Sequence, residues 1–110
     1  MRDRPRERRR PAHGLTDVHD AFSEGRFQST VRVLRHLSIR GRGRSTIGSC
    51  VQSLTPGDFH KSQRYLGRPE VWLDIYKPVF RGERLYVKFT LLEDGETYLV
   101  LSFCGDDEEH

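Results

Sequence analysis

An α+β domain is what this sequence predicts, and three observations predict it. Apolar residues recur at helical spacing in the first half of the chain: Leu15, Val18 and Phe22 in one stripe, Ile47, Cys50, Val51 and Leu54 in another. The last third holds three runs rich in branched and aromatic residues, at 71–80, 85–92 and 97–104. Arg81-Gly82 and Asp94-Gly95 separate those runs, as hairpin turns require. Short helices followed by strands make a small antiparallel meander with the helices packed on one face. A chain of 110 residues is one domain, and 35% apolar residues supply one small core.

Taken in order, residues 1–12 form an Arg-rich arm: six of the first ten residues are Arg, and Pro5 and Pro11 interrupt it. Such a segment is expected to be disordered, with no part in the fold. The domain proper then runs over 13–104, and 105–110 is an acidic tail. Thr16 reads as a helix N-cap, with Asp17 and Asp20 where the helix dipole favours acids and Gly25 as the stop. Ser29 or Thr30 caps a second helix carrying Val31, Leu34 and Leu37. Arg40-Gly41-Arg42-Gly43-Arg44 breaks regular structure. The third helix puts Cys50 in the core as an inert thiol. Thr55-Pro56-Gly57-Asp58 is a capping box with Pro at its first position, and Leu54 with Phe59 makes the hydrophobic staple. A short helix is therefore expected from Pro56, presenting His60, Lys61, Arg64 and Tyr65 away from Phe59.

Alternation sets the strand faces. Val71, Leu73 and Ile75 alternate as a buried face. Leu85, Val87, Phe89 and Leu91 point to the core, as do Leu99, Leu101 and Phe103. Matching them needs a loop of odd length, Glu93-Asp94-Gly95. The same parity collects Tyr86 and Lys88 with Val100, Ser102 and Cys104 on the outer, solvent-facing side.

Composition removes several functions. The longest unbroken apolar stretch, 98–101, falls far short of the ~20 residues that cross a bilayer. The basic N-terminus has no apolar segment behind it, as a secretory signal would. Two cysteines make neither a disulfide scaffold nor a zinc site, which suits a reducing cytosol. The five histidines form no metal-binding pattern, and no phosphate loop or Ser-His-Asp spacing is present. No cofactor and no metal are expected.

Charge points to a polyanion. The chain carries a net charge of +3, and no acid occurs from Gly25 to Gly57, where six Arg fall. Arg40, Arg42 and Arg44 read either as a flexible loop touching phosphates or as a polar connection. His60, Lys61 and Arg64 beside Tyr86 and Lys88 suit phosphodiester transfer in RNA. That reaction takes a base for the 2′-OH, cations for the phosphate and an acid for the departing 5′-oxygen. His60 suits proton transfer, Lys61, Lys88 and Arg64 suit phosphate binding, and Tyr86 suits base stacking or proton transfer.

The strings Asp58-Phe59-His60-Lys61-Ser62, Val71-Trp72-Leu73-Asp74-Ile75-Tyr76-Lys77-Pro78, Leu85-Tyr86-Val87-Lys88 and Val100-Leu101-Ser102-Phe103 carry a resemblance. They resemble the motility quorum-sensing regulator toxins, mRNA interferases of type II toxin–antitoxin systems with a RelE-like fold. The resemblance implies a cytoplasmic, metal-independent endoribonuclease whose site includes Lys61 and Tyr86. It implies an mRNA substrate, no membrane, and a cognate antitoxin with a zinc-bearing N-terminal part and a helix-turn-helix C-terminal part. Two further site positions, a Gln and a Lys in the family pattern, are Leu73 and Cys104 here. The alternatives are a decayed RNA- or ribosome-binding module, and a protein-interaction partner acting only with an antitoxin.

Overall fold

Three helices lay their apolar faces on one side of a sheet, and the core forms between them. The computed structural model describes residues 6–108. In chain order the elements are β1 (Glu7–Arg8), α1 (Leu15–Ser23), β2 (Phe27–Ser29), α2 (Val31–Ile39) and α3 (Arg44–Gln52). A single 3₁₀ turn (Pro56–Asp58) leads into β3 (Phe59–Tyr65), β4 (Arg68–Tyr76), β5 (Val79–Phe80), β6 (Glu83–Leu91) and β7 (Tyr98–Gly105). The sheet runs β1-β3-β4-β6-β7-β2, with β5 paired to β6 off that path. Every pair is antiparallel except β2 with β7. The α+β class with helices against an antiparallel sheet stands as the sequence predicts, but the sheet is larger than a three-stranded meander.

The core follows from amphipathic spacing. Val18 and Phe22 of α1, Val33 and Leu37 of α2, and Ile47, Cys50 and Val51 of α3 are buried against Val87, Phe89, Val100 and Phe103. Phe89 is the hub, with ring centroids 5.7 Å from Tyr76, 5.9 Å from Tyr98 and 6.1 Å from Phe22. In α2 the Thr30 hydroxyl caps Val33 N–H at 3.3 Å, as expected. The stripe, however, is Val33 and Leu37. Val31, in the first turn, is 70% exposed, and Leu34 also faces solvent. The N-cap of α1 is Gly14 rather than Thr16.

Pro56 starts a single 3₁₀ turn that ends at Asp58, so the helix expected to carry His60, Lys61, Arg64 and Tyr65 does not form. The Asp58 carboxylate accepts from Thr55 N–H and closes one turn, and the chain then leaves as β3. The capping signal is local, whereas residues 59–65 gain a ladder with β4 on one side and β1 on the other. His60 is the extra residue of a bulge at the start of that ladder.

The end of the sheet differs in register. Tyr98 and Val100 fill the core rather than Leu99 and Leu101, while Phe103 is buried as expected. Leu92 and Thr97 pair across a four-residue loop built around the Asp94 carboxylate, which accepts from Glu96 and Thr97 N–H. An even loop sets the opposite parity from a three-residue one. A bulge at Leu101 restores it, since Phe89 faces Val100 but Lys88 faces Ser102.

The N-terminal arm takes part in the fold. Glu7 and Arg8 pair with Gln63 and Ser62, and Arg64 N–H donates to the Arg6 carbonyl at 2.7 Å. The fully buried Asp74 carboxylate accepts from Ala12 and His13 N–H, both at 2.9 Å. Arg8 stacks over Trp72, 4.1 Å from the ring centroid. A composition rich in Arg and Pro cannot nucleate structure by itself, but a buried carboxylate in need of donors holds it. Residues 1–5 of that arm lie outside the described residues.

Candidate functional site

Four strands bring the site together on the face away from the helices. Paired residues share a face. Lys61 of β3 faces Ile75 of β4, Ile75 faces Lys88 of β6, and Lys88 faces Ser102 of β7, in one row across the sheet. Strand spacing puts the two lysine backbones about 10 Å apart. Ile75 is fully buried although it is on this outer face, because a lysine stem flanks it on either side. One row along, Tyr86 faces Cys104. One row the other way, Gln63 faces Leu73. The 71–75 alternation is thus buried on the outer face, and Leu73 shares that face with Lys61.

Burial sets the protonation of this face. Lys88 is half-buried, and desolvation lowers its pKa, with Arg32 and Lys61 pressing the same way. Tyr86 is 7% exposed rather than solvent-facing. Desolvation raises its pKa, with Cys104 and Asp106 adding to the effect, so it remains a phenol. Its ring centroid lies 6.0 Å from Lys77 Nζ and 5.9 Å from Lys88 Nζ, between two ammonium groups. Burial likewise raises the Cys104 thiol. His60 is pushed below the usual imidazole range by desolvation, then by Lys77 and Lys61, so its ring is neutral near pH 7. The Ser102 hydroxyl is buried with no hydrogen-bond partner among the described residues. Lys61 Nζ donates to the Glu7 carboxylate at 2.5 Å, and that bond holds Glu7 below the usual carboxylate range.

Lys61, Tyr86 and Lys88 therefore gather on one face, with His60 at its edge. Of the other arginines named from the sequence, Arg64 borders the cavity beside Lys88, and Arg40, Arg42 and Arg44 lie elsewhere. Arg64 stacks over Trp72, 4.4 Å from the ring centroid, and donates to the Pro69 carbonyl. Arg40 pairs with Glu108, and Arg42 lies 3.8 Å from Glu83. Arg44 donates to the Gly25 and Phe27 carbonyls and stacks on the Phe27 ring at 3.8 Å. Arg40, Arg42 and Arg44 fasten the α2–α3 connection to the rest of the fold. Sequence reasoning missed Lys77, Gln63, Arg32 and Glu7. Period-two reading of 59–65 as a strand would have found Gln63 with Lys61, but a capping box ahead of that segment argued for a helix.

Among the described residues, no group of three or more His, Cys, Asp or Glu is placed to hold a metal ion. None of their helices is long and apolar enough to cross a membrane. The face can bind an anion between two ammonium groups, present a phenol beside it and offer a neutral imidazole at its edge.

The sequence matches known proteins. The chain is 26% identical over 97 residues to a protein of Escherichia coli (strain K12) described as "mRNA interferase toxin MqsR", covering 88% of this chain and 96% of that one. The family model described as motility quorum-sensing regulator, toxin of MqsA, matches residues 10–105. That match takes in α1 through β7, and with them the outer face and its lysine row, so the chain belongs to the motility quorum-sensing regulator toxin family.

Proposed function

We propose that this toxin is an endoribonuclease that cuts mRNA without a metal ion and is neutralised by a cognate antitoxin. The observation that carries the reading is the Lys61–Ile75–Lys88–Ser102 row, with Tyr86 held between Lys77 and Lys88. An RNA phosphate seats between the Lys61 and Lys88 ammonium groups, which stabilise the charge that builds on it. The neutral His60 imidazole takes the proton of the 2′-OH. The 2′-oxygen bonds to phosphorus, the bond from phosphorus to the 5′-oxygen breaks, and the Tyr86 phenol protonates that oxygen. The products are a 2′,3′-cyclic phosphate and a 5′-OH. The fixed ammonium groups perform the charge stabilisation that a metal ion supplies elsewhere. The description of the E. coli relative as an mRNA interferase supports the substrate class. The family description supports an MqsA-like antitoxin, which the sequence resemblance makes a zinc-bearing, helix-turn-helix protein acting in the cytoplasm.

A long mRNA incubated with the purified chain in EDTA tests this. New 5′-OH ends from the parent, absent with Lys61→Ala, are expected. Cleavage lost on chelation and restored by Mg²⁺ or Zn²⁺ overturns the metal-free mechanism. One observation favours a decayed RNA-binding module instead: Leu73 and Cys104 leave the face without a second amide on β4 or a cation on β7. That reading wins if the parent binds RNA and leaves it intact while Leu73→Gln with Cys104→Lys cuts it.

A further inference from the structure

The outer face continues past the lysine row, away from Tyr86, into a cavity of about 330 Å³. Its lining includes Arg32, Gln63, Tyr65, Leu73, Lys88 and Leu101, with Arg64 beside them. Lys88 belongs to both places: it lies in the phosphate row and in the cavity wall. Leu73 and Leu101 provide apolar walls, and Tyr65, 46% exposed, offers a ring at the mouth. Arg32 reaches in from α2, where it donates to the Leu101 carbonyl at 3.2 Å. The Gln63 carboxamide, opposite Leu73, lines the same cavity.

These groups match one chemical class. A nucleotide has a flat apolar body with a polar edge, one sugar away from an anionic phosphate. The cavity has apolar walls, an aromatic ring and a single amide, one side chain away from a phosphate-binding ammonium. A carboxamide offers a donor beside an acceptor, the pattern that reads a base edge with two hydrogen bonds. The cavity suits a base turned out of a single strand and not a paired one, whose edge and faces are covered in a duplex.

We propose that this cavity is a nucleobase subsite, which takes the unpaired base next to the phosphate held by Lys61 and Lys88 and reads its edge through Gln63. This rests on the RNA reading given above and adds where sequence preference comes from. Leu73 takes part as a wall for the base. The polar reading group sits across the strand pair at Gln63.

Binding separates the two ideas because it needs no cleavage. The full chain is titrated, by calorimetry and by amide NMR shifts, with the four ribonucleoside 3′-monophosphates and with ribose 5-phosphate, which lacks a base. Nucleotides are expected to bind on the order of tenfold tighter than ribose 5-phosphate, as base stacking allows. Shifts should cluster at Gln63, Tyr65 and Leu101. Gln63→Leu should compress the spread among the four bases to within about twofold and leave ribose 5-phosphate binding unchanged. Tyr65→Ala should weaken all four nucleotides. Nucleotides that bind no better than ribose 5-phosphate, or a base spread that survives Gln63→Leu, overturn the subsite. A chain that shows the base spread and its loss in Gln63→Leu, yet leaves mRNA whole, keeps the subsite and overturns only the cleavage reading.

Discussion

Lys61 and Lys88 stand in one row, so they should act together on one phosphate. Lys61→Ala and Lys88→Ala are each expected to slow cleavage by about 10²–10³, the scale for losing one charge-stabilising donor. Single-turnover rates on a defined RNA measure this, alongside melting curves that show the fold intact. Undiminished cutting in both variants would move the site elsewhere. Tyr86 needs a gentler change because it is nearly buried. Tyr86→Phe removes only the hydroxyl, whereas Tyr86→Ala opens a cavity and costs about 3–5 kcal/mol, the range for truncating a large aromatic. As the proposed base, His60 should set the pH profile. Its pKa is depressed, so the base form persists below the ordinary imidazole midpoint of about 6.5. Cleavage should therefore rise with pH through a midpoint below 6.5 and be level by neutrality, and His60→Gln should remove that acidic limb. An unchanged profile and rate in His60→Gln would make His60 a bystander.

At the scale of elements, β1 is held by contacts that a stability measurement can read. Asp74→Ala leaves Ala12 and His13 N–H without their acceptor. Unpaired buried donors cost about 1–3 kcal/mol, so denaturant midpoints should fall accordingly. Trp72 is the only tryptophan and lies under Arg8, so its fluorescence should also shift as residues 6–13 loosen. Emission and midpoint that both match the parent would mean that Asp74 does not hold the arm. The Glu7–Lys61 pair adds a pH signature. The Glu7 pKa is lowered by Lys61, so its contribution to β1 docking is present above the ordinary carboxylate range and is lost as pH falls below it. Elements were legible in the sequence wherever periodicity and turn chemistry agreed. α1, α3, the β5–β6 turn with Arg81 and Gly82 at positive φ, and the shared face of Tyr86, Lys88, Ser102 and Cys104 all have local causes. The rest depends on partners distant in sequence. Residues 59–65 become a strand because β4 and β1 flank them, and the β7 register depends on a bulge that no turn motif announces. The family strings pointed to Lys61 and Tyr86, which the sheet places on one face. Gln63, Lys77 and Arg32 join them only once the sheet order is known.

On the scale of the whole molecule, net positive charge draws in a polyanion and counterion release sets the cost of salt. RNA affinity should fall steeply as salt rises. Arg2→Gln, Arg4→Gln, Arg9→Gln and Arg10→Gln together remove four charges, spare the Glu7–Arg8 pairing of β1, and should make that slope shallower without abolishing cleavage, since Lys61, Lys88 and Tyr86 remain. Fluorescence anisotropy of a labelled RNA across a salt series provides the measurement. An affinity indifferent to salt would instead favour a chain that works through a protein partner alone.

The sheet order has a consequence for how the molecule comes into being. β7 is made after every other described strand, yet it lies inside the sheet, between β6 and β2, and it contributes Tyr98, Val100 and Phe103 to the core. Until those residues are synthesised, β2 has no neighbour, β6 has one open edge and Lys88 faces no Ser102. Domains condense as units. A growing chain on the ribosome thus carries both lysines of the row before it has the strand that completes their surface. The row is complete only once β7 has docked.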